Sequence, residues 1–492
     1  MLFNSSEFVL FFPTVAGLYF LLPHRFQWVL LLAASYFFYM CWEPGYLTLI
    51  LISTLVDYFA GIMMGRSTSQ TARRGYLILS ICMNLGLLAF FKYYNFFAES
   101  IECLLVAMGF DTSLPVSKFL LPVGISFYTF QTLSYTIEVY RGNFEPQRHL
   151  GIFALYVAFF PQLVAGPIER APRLLPQFLI RHDFDYVRVT SGVKLMFWGL
   201  FKKVVIADRL AMLVDPVYSN PHHHDGFTLA VATVFFAFQI YCDFSGYSDI
   251  AIGGAQVFGI KLMDNFNRPY GARSVAEFWR RWHISLSTWF RDYLYIPLGG
   301  NRITRTRWNV NIAVVFLLSG LWHGANWTFV IWGLLHAGYM IVSFATQPLR
   351  ARLAALTRLD RRPALHNALQ VAVTFALVCF AWIFFRAETL GDATHIAKTV
   401  FADWRVPVSG AQLKQAATSI DMQYDLFLKS LVLSVVWLVL LLSVQWAQRR
   451  EPIRDRLARH HVVVRFVVYS LGLWAMFLFG VFQQKEFIYF TF

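Results

Sequence analysis

The chain has 492 residues, of which 57% are hydrophobic and only 14% charged, and its formal net charge is +14 at pH 7. This composition excludes an ordinary soluble protein, because apolar runs close to the ~20 residues that a helix needs to cross a bilayer recur from end to end. The positive charge does not indicate a nucleic-acid partner, since the basic residues lie between apolar runs and form no recognisable binding module.

The apolar runs predict a single membrane domain over residues 1–492, all-α and polytopic, with about 11 to 12 transmembrane helices. In chain order the candidate spans are 8–22, 26–42, 46–64, 76–98, 118–138, 190–206, 227–246, 310–321, 327–346, 368–386, 426–446 and 462–482, and the apolar segments 150–165 and 247–260 are ambiguous. The run at 310–321 is too short to cross simply, so we expect a re-entrant or broken helix beside a polar cavity there.

Basic residues between the spans set the predicted orientation. They cluster at 66–74, 268–307, 350–362 and 449–465. The positive-inside bias places these loops in the cytoplasm, and the spans then put the N-terminus and the last residues outside. The first span lacks a cleavage site after it and is expected to be retained.

Cysteines and clustered histidines give no sign of a metal site. The five cysteines lie mostly within apolar runs, without a CxxC pair or a Cys/His ligand spacing, so neither a disulfide framework nor a metal is expected. The histidine run 222–224 falls in a predicted outer loop. A solvated loop is favoured there over a metal site, because short His tracts are only a compositional hint.

An amphipathic segment follows residue 261. Ser274 and Glu277 have the spacing of a capping box, which predicts the start of a helix. Arg280 and Arg281 stand beside an apolar stripe at helical spacing. The stripe consists of Val275, Phe278, Trp279, Trp282, Leu286 and Trp289. The pattern predicts one amphipathic helix that lies on, or dips into, the cytoplasmic leaflet.

Two histidines are candidates for chemistry. His323 falls between two strongly apolar runs, and an ionisable group at membrane depth is a functional candidate by default. An imidazole titrates near neutrality, which suits a general base that accepts a proton from a hydroxyl, although a structural hydrogen-bonding role remains open. His283 follows Arg280 and Arg281, which could bind phosphates in bidentate fashion. The alternative for His283 is an interfacial residue among anchoring tryptophans.

Polar groups at two further places need an explanation. Three polar residues occur at or just after the end of the run 227–246, namely Asp243, Ser245 and Asp249. The favoured interpretation is that they cap a helix or pair with nearby arginines. The aromatic tail, residues 487–492, lies beyond the final predicted span. An interfacial aromatic belt would explain it, but Tyr489 also presents a hydroxyl on the predicted outer side.

These segments together resemble the membrane-bound O-acyltransferase family. The resemblance is carried by 122–131, 239–249, 265–302 and 320–327, and it covers nearly the whole chain, with a catalytic core at 118–346. It implies an all-α bundle with re-entrant and interfacial helices around a central polar funnel.

The resemblance also implies roles for individual residues. His323 corresponds to the family's catalytic histidine, and His283 to a second, less uniformly essential position. Acetyl-coenzyme A is implied as the acyl donor, bound from the cytoplasm near Arg280 and Arg281, with no permanently bound cofactor. The tail is similar to one in polymer-acylating relatives whose tyrosine, here Tyr489, is implicated as an outer-side acyl carrier.

The implied function is O-acetylation of an exported polysaccharide, with alginate expected first, by a multi-pass protein of the bacterial inner membrane. A periplasmic acetyltransferase partner would pass the acetyl group to the polymer. Acylation of cellulose or peptidoglycan, or D-alanylation of teichoic acid, is the alternative within the family. Polar groups and broken helices also mark secondary transporters, although no internal repeat is visible. A purely structural protein is a third alternative, but buried charged residues would lower its stability without serving a function.

Overall fold

The computed structural model describes residues 1–110, 113–116, 121–482 and 487–488. The regular elements formed by these residues are all helices, which confirms the predicted all-α class. The α-helices in chain order are α1 (Ser6–Leu21), α2 (His24–Met40), α3 (Leu47–Arg66), α4 (Gln70–Leu88), α5 (Tyr94–Ala107), α6 (Ile125–Arg141), α7 (Leu150–Ala158), α8 (Ala171–Leu174), α9 (Tyr186–Phe201), α10 (Asp208–Ser219), α11 (Gly226–Val257), α12 (Val275–Trp279), α13 (Ile284–Phe290), α14 (Arg305–His323), α15 (Trp327–Ala345), α16 (Gln347–Leu356), α17 (Pro363–Arg386), α18 (Leu390–Thr399), α19 (Gly410–Ser419), α20 (Tyr424–Ala447), α21 (Ile453–Ala458) and α22 (Val462–Phe479). Turns of π-helix occur at Ala89–Tyr93, Lys202–Ala207 and Arg291–Tyr295.

Within the described ranges, 7 helical segments are long and apolar enough to cross a membrane. They are α3, the continuous segment from α4 to α5, α11, α15, α17, α20 and α22. α1 is apolar but shorter. The multi-pass membrane architecture is therefore confirmed, and the other predicted spans correspond to helices that are shorter or more polar.

Two helix boundaries differ from the prediction. α11 continues without a break to Val257 and has 32 residues. Asp243, Ser245 and Asp249 therefore lie inside a helix, and their interpretation as helix caps is wrong. α14 begins at Arg305, upstream of the apolar run at 310–321, and so reaches 19 residues. Polar residues can form the first turns of a helix, which hydropathy alone does not register.

Two compact units divide the chain. Among the described residues, the first comprises 1–197 and 247–264, and the second comprises 198–246 and the residues from 265 to 488. In the first unit, the buried carboxylate of Asp57 accepts hydrogen bonds from Ser80 Oγ at 2.5 Å and from Asn84 Nδ2 at 2.9 Å. Such internal bonding is what a polar side chain on a membrane-spanning helix requires.

In the second unit, α14 and α15 pack closely as an antiparallel hairpin. A Cβ atom added to Gly320 would collide with the backbone oxygen of Phe329, and one added to Gly333 would collide with the backbone oxygen of Phe316. The two helix backbones approach this closely only because both positions lack a side chain, which is the small-residue packing typical of membrane helices.

The α14–α15 hairpin has a basic end and a histidine end. At the basic end, the guanidinium of Arg305 lies 3.9 Å from the ring centroid of Phe344, and the next helix, α16, carries Arg350 and Arg352. His323 is the last residue of α14. With a rise of 1.5 Å per residue, His323 lies about 27 Å from the basic end along the helix axis.

Candidate active site

The predicted amphipathic segment forms two short helices, α12 and α13, instead of one. Between them His283 adopts the left-handed backbone conformation, with φ 42 and ψ 55. The prediction of a continuous helix is wrong, because a residue in this conformation cannot continue a right-handed helix. The predicted helix start is correct, since Ser274 Oγ accepts a hydrogen bond from Glu277 N at 3.2 Å.

The α12–α13 segment is a re-entrant hairpin with His283 at its tip. On one side of the tip, Arg273 Nη1 donates to Asn367 Oδ1 at 3.3 Å, near the start of α17. On the other side, Trp308 Nε1 donates to Tyr295 Oη at 2.9 Å, near the start of α14. Both arms therefore begin at the basic end, and the chain turns back where it reaches the histidine end. The six residues of the predicted apolar stripe are buried by protein, which is the condition for irregular backbone at membrane depth.

The re-entrant hairpin brings together the two histidines that the sequence singled out. The ring centroids of His283 and His323 lie 6.2 Å apart, with an angle of 56° between the ring planes. Both side chains are buried, at 0% and 3% relative exposure. One imidazole is on the tip of the hairpin and the other on the last turn of α14.

An aromatic shell surrounds the two imidazoles. The ring of Phe244 lies 4.7 Å from that of His283, and Trp332 and Phe385 lie 4.9 and 5.4 Å from that of His323. The shell also includes Trp322, whose ring lies 5.7 Å from that of His283, and Trp382, which stacks on Trp332. Trp282 packs behind them, with its ring 5.0 Å from that of Trp382. A shell of this kind excludes water and strengthens electrostatic interactions inside it.

Asn265 fixes the backbone just after the tip. Its backbone oxygen accepts from Ile284 N at 2.9 Å. Its side-chain Oδ1 accepts from Ser285 Oγ at 2.9 Å and from Ser285 N at 3.3 Å. Asn265 is 1% exposed, so these bonds are protected from water and hold the position of His283. Asn265 begins the segment 265–302 that carries the family resemblance, but no feature of the sequence marked it as a site residue.

A further buried histidine beside this pair was not predicted from the sequence. His336 on α15 is 0% exposed and accepts through Nδ1 from Trp279 Nε1 at 3.2 Å. Its ring also lies 5.1 Å from that of Trp332, which in turn contacts His323. The signal was present, since His336 is an ionisable residue within the predicted span 327–346. Its contacts support the hairpin arm at Trp279.

The two arginines next to the tip have different surroundings. Arg281 is held by an ion pair, with Nη2 2.5 Å from Glu277 Oε1, and by a bond from Nη1 to the backbone oxygen of Arg268. Partial burial raises the pKa of Glu277, but the Arg273 N–H and the charges of Arg281 and Arg273 lower it, so that the net pKa lies below its usual range. Arg280 is exposed, which makes its guanidinium the more accessible of the two for an anionic ligand.

Tyr489 lies outside the described residues. The two residues before it, Phe487 and Ile488, are described and belong to the second unit.

Comparison with known proteins gives a clear match. The model of the membrane-bound O-acyltransferase family matches residues 38–386, a range that includes Asn265, His283, His323 and His336. The aromatic tail lies beyond this range.

Individual relatives fall into several groups. The chain is 42% identical over 412 residues to a probable alginate O-acetylase from Azotobacter vinelandii, covering 82% of this chain and 79% of the relative. It is 36% identical over 434 residues to a peptidoglycan O-acetyltransferase from Helicobacter pylori, covering 81% and 79%. A teichoic acid D-alanyltransferase from Streptococcus thermophilus is 31% identical over 237 residues, covering 45% and 57%.

Proposed function

The chain belongs to the membrane-bound O-acyltransferase family and is an acyltransferase, and we propose that it transfers acetyl groups from cytoplasmic acetyl-coenzyme A towards an exported polysaccharide. The observation that supports this chemistry best is the pair of buried imidazoles, His283 and His323, inside a shell of aromatic rings. An acyltransferase needs a base for the acceptor hydroxyl and a site from which water is excluded, because water would hydrolyse the thioester.

In the proposed reaction His323 is the general base. The acceptor oxygen attacks the carbonyl carbon of the acetyl thioester while its proton passes to the His323 imidazole. The tetrahedral intermediate then expels the coenzyme A sulfur, which takes the proton back from the imidazolium. His283, 6.2 Å away and held by the Asn265 turn, orients the reacting groups at the second position.

The basic end of the second unit suits a donor that carries phosphates. Arginine binds phosphate through charge-assisted hydrogen bonds, and this end carries Arg305, Arg350 and Arg352. Arg280 is also exposed, but it stands three residues before the histidine at the tip, at the other end of the α14–α15 hairpin. The positive-inside bias assigns the basic end to the cytoplasm. His323 lies about 27 Å from that end, close to the ~30 Å thickness of a bilayer core. The histidine pair would therefore lie nearer the outer side, where an acetyl group must emerge for an exported polymer.

The polymer and partner are proposed from the relatives. Alginate is the first candidate, since the alginate O-acetylases share 40% to 42% identity with this chain over 82% of its length. The peptidoglycan enzyme covers a similar share at 36% identity, and the teichoic acid enzyme covers only 45%. The protein would lie in the bacterial inner membrane with the N-terminus and the aromatic tail in the periplasm, where an acetyltransferase partner would collect the acetyl group.

Consumption of labelled acetyl-coenzyme A by the purified protein in detergent tests the proposed donor and base. With a water-soluble alcohol supplied as the acceptor, the wild type should release free thiol, and His323→Ala should reduce the rate by about 100- to 10,000-fold, the range for loss of a general base. His222→Ala is the matched control, because the His222 side chain is 60% exposed and pairs with Asp392. A folded His323→Ala protein with the wild-type rate would exclude His323 as the base. The O-acetyl content of polysaccharide from a deletion strain identifies the polymer.

A further inference from the structure

A buried group of charges lies in the second unit beside the end of the chain. Lys203 Nζ is 2.7 Å from Asp243 Oδ1 and 2.9 Å from Asp208 Oδ1. The side chains of Lys203, Asp243 and Asp208 are 1%, 2% and 4% exposed. Burying such charges is costly even when they are paired, so within a membrane they point to a function.

The start of the aromatic tail contacts these same charges. Ile488 N donates a hydrogen bond to Asp243 Oδ2 at 2.9 Å. The ring of Phe487 lies over the ammonium of Lys203, 4.6 Å from Nζ to the ring centroid, and the Phe487 residue is only 1% exposed. Asp243 thus binds Lys203 through one carboxylate oxygen and the tail through the other, and Lys203 adds a cation–π contact.

The chain that leaves α22 is also held at the same place. Val481 N donates to the backbone oxygen of Val204 at 2.9 Å, and Arg209 Nη2 donates to the backbone oxygen of Phe479 at 2.7 Å. Val204 belongs to the π-helical turn Lys202–Ala207, whose longer hydrogen-bonded ring changes which carbonyls remain available for partners outside the helix. This π-helical turn therefore contacts the chain at Val481, through Val204, and again at Phe487, through Lys203.

The attachment point is next to the histidine pair. Asp243, which binds Ile488, is followed on α11 by Phe244, whose ring lies 4.7 Å from that of His283. Adjacent residues of α11 therefore have two roles: Asp243 binds the tail, and Phe244 forms part of the wall of the candidate active site.

We propose that the Lys203–Asp243 ion pair is the docking site of the aromatic tail, and that it positions the tail for acyl transfer. Lys203 and Asp243 are positioning residues. By binding Phe487 and Ile488 they position the hydroxyl of the next residue, Tyr489. The docking stands on the contacts of Phe487 and Ile488, whereas the purpose of docking rests on the proposed function.

Hydrogen–deuterium exchange of the full-length protein measures docking directly. Phe487→Ala removes the ring and leaves the buried ion pair in place, whereas Asp243→Asn removes the charge that Lys203 and Ile488 bind. Both variants should speed exchange at the amides of 487–488 on the order of tenfold or more, because a hydrogen-bonded amide exchanges only when its contact opens. The amide of Val481, bonded to the Val204 backbone, is the internal control and should remain protected. Unchanged exchange at 487–488 in both variants would overturn the docking site.

A second readout separates docking from the chemistry of Tyr489. Polymer acetylation should fall in both docking variants, while acetyl transfer from acetyl-coenzyme A to a water-soluble alcohol, which does not use the tail, is retained. The double variant should lose no more than the stronger single one, since both changes break one attachment. Tyr489→Phe should keep wild-type exchange protection, because docking uses the two preceding residues. Full polymer acetylation by undocked variants would overturn the positioning role, whereas full acetylation by Tyr489→Phe alone would count against the acyl-carrier role and leave docking intact.

Discussion

His283 reaches His323 because the backbone of His283 is left-handed. At φ 42 the chain reverses between α12 and α13, and the imidazole at the reversal comes within 6.2 Å of the His323 ring, centroid to centroid. A non-glycine residue in this region is uncommon, and such conformations persist where the surroundings enforce them, most often at functional sites. Here the enforcement comes from the three hydrogen bonds of Asn265 to the next two residues.

Two substitutions at His283 separate its backbone role from its imidazole. His283→Asn should keep the fold, because asparagine is several-fold enriched in the left-handed region, yet it should lower acetyl transfer if the imidazole takes part. His283→Val should also lower the thermal midpoint, since a β-branched residue there adds strain of roughly 1–2 kcal/mol. Thermal unfolding and thioester cleavage are measured on the same preparations. A wild-type rate of thioester cleavage by His283→Asn would show that the imidazole takes no part in the reaction and that His283 matters only for the turn.

Close packing of α14 on α15 is needed to place His323. Gly320→Ala should destabilise the protein by roughly 1–3 kcal/mol, because the added methyl meets the backbone oxygen of Phe329, which cannot rotate away. The rate of acetyl transfer should also fall in Gly320→Ala, since His323 lies three residues further along the same helix. Gly338→Ala on α15 is the matched control, because a Cβ there meets nothing within 4 Å. That control should be neutral or slightly stabilising, as alanine favours helix by about 1 kcal/mol. Equal thermal midpoints for the two variants would argue against the tight crossing.

Local sequence pattern predicted the helices better than the contacts between them. Apolar runs located the membrane helices, and the isolation of His323 in apolar sequence marked it as a candidate. The tip at His283 was not predictable from spacing, because the apolar stripe around it fits a continuous helix equally well. The partner of Asp243 was expected to be an arginine and is Lys203, a residue on another helix that no local pattern links to it.

Orientation in the membrane follows from the basic end. In a version of the protein without its exposed cysteines Cys41, Cys82 and Cys103, Arg305→Cys should resist an impermeant thiol reagent in intact cells and react after lysis. Ala411→Cys is the positive control, because it lies between the predicted spans 368–386 and 426–446, a segment that the same orientation places outside, and it should react in intact cells once the reagent reaches the periplasm. Labelling of Arg305→Cys before lysis would reverse the topology and the proposed side of donor binding.

The hydroxyl of Tyr489 carries the most specific prediction. If the donor is bound at the basic end and the polymer is outside, an acyl group held briefly on a residue of the outer side divides one difficult transfer into two easier ones. The aromatic tail is suited to this because its start is fixed by Asp243 beside the wall of the histidine site. An aryl ester is also reactive enough to give its acyl group to a partner enzyme.

Tyr489→Phe removes the phenolic oxygen and keeps the ring, so an anchoring role should survive it and a carrier role should not. We expect polymer O-acetylation to fall to background in this variant, and the wild-type tail peptide to carry an acetyl group by mass spectrometry when the periplasmic partner is absent. Thr491→Val is the control, because it removes the other hydroxyl of the tail at nearly constant shape and should leave acetylation unchanged. An unmodified tail peptide in the partner-free strain, together with full acetylation by Tyr489→Phe, would assign the tail to membrane anchoring alone. Loss of acetylation in Thr491→Val with retention in Tyr489→Phe would instead transfer the carrier role to the threonine, two residues further from the Asp243 attachment.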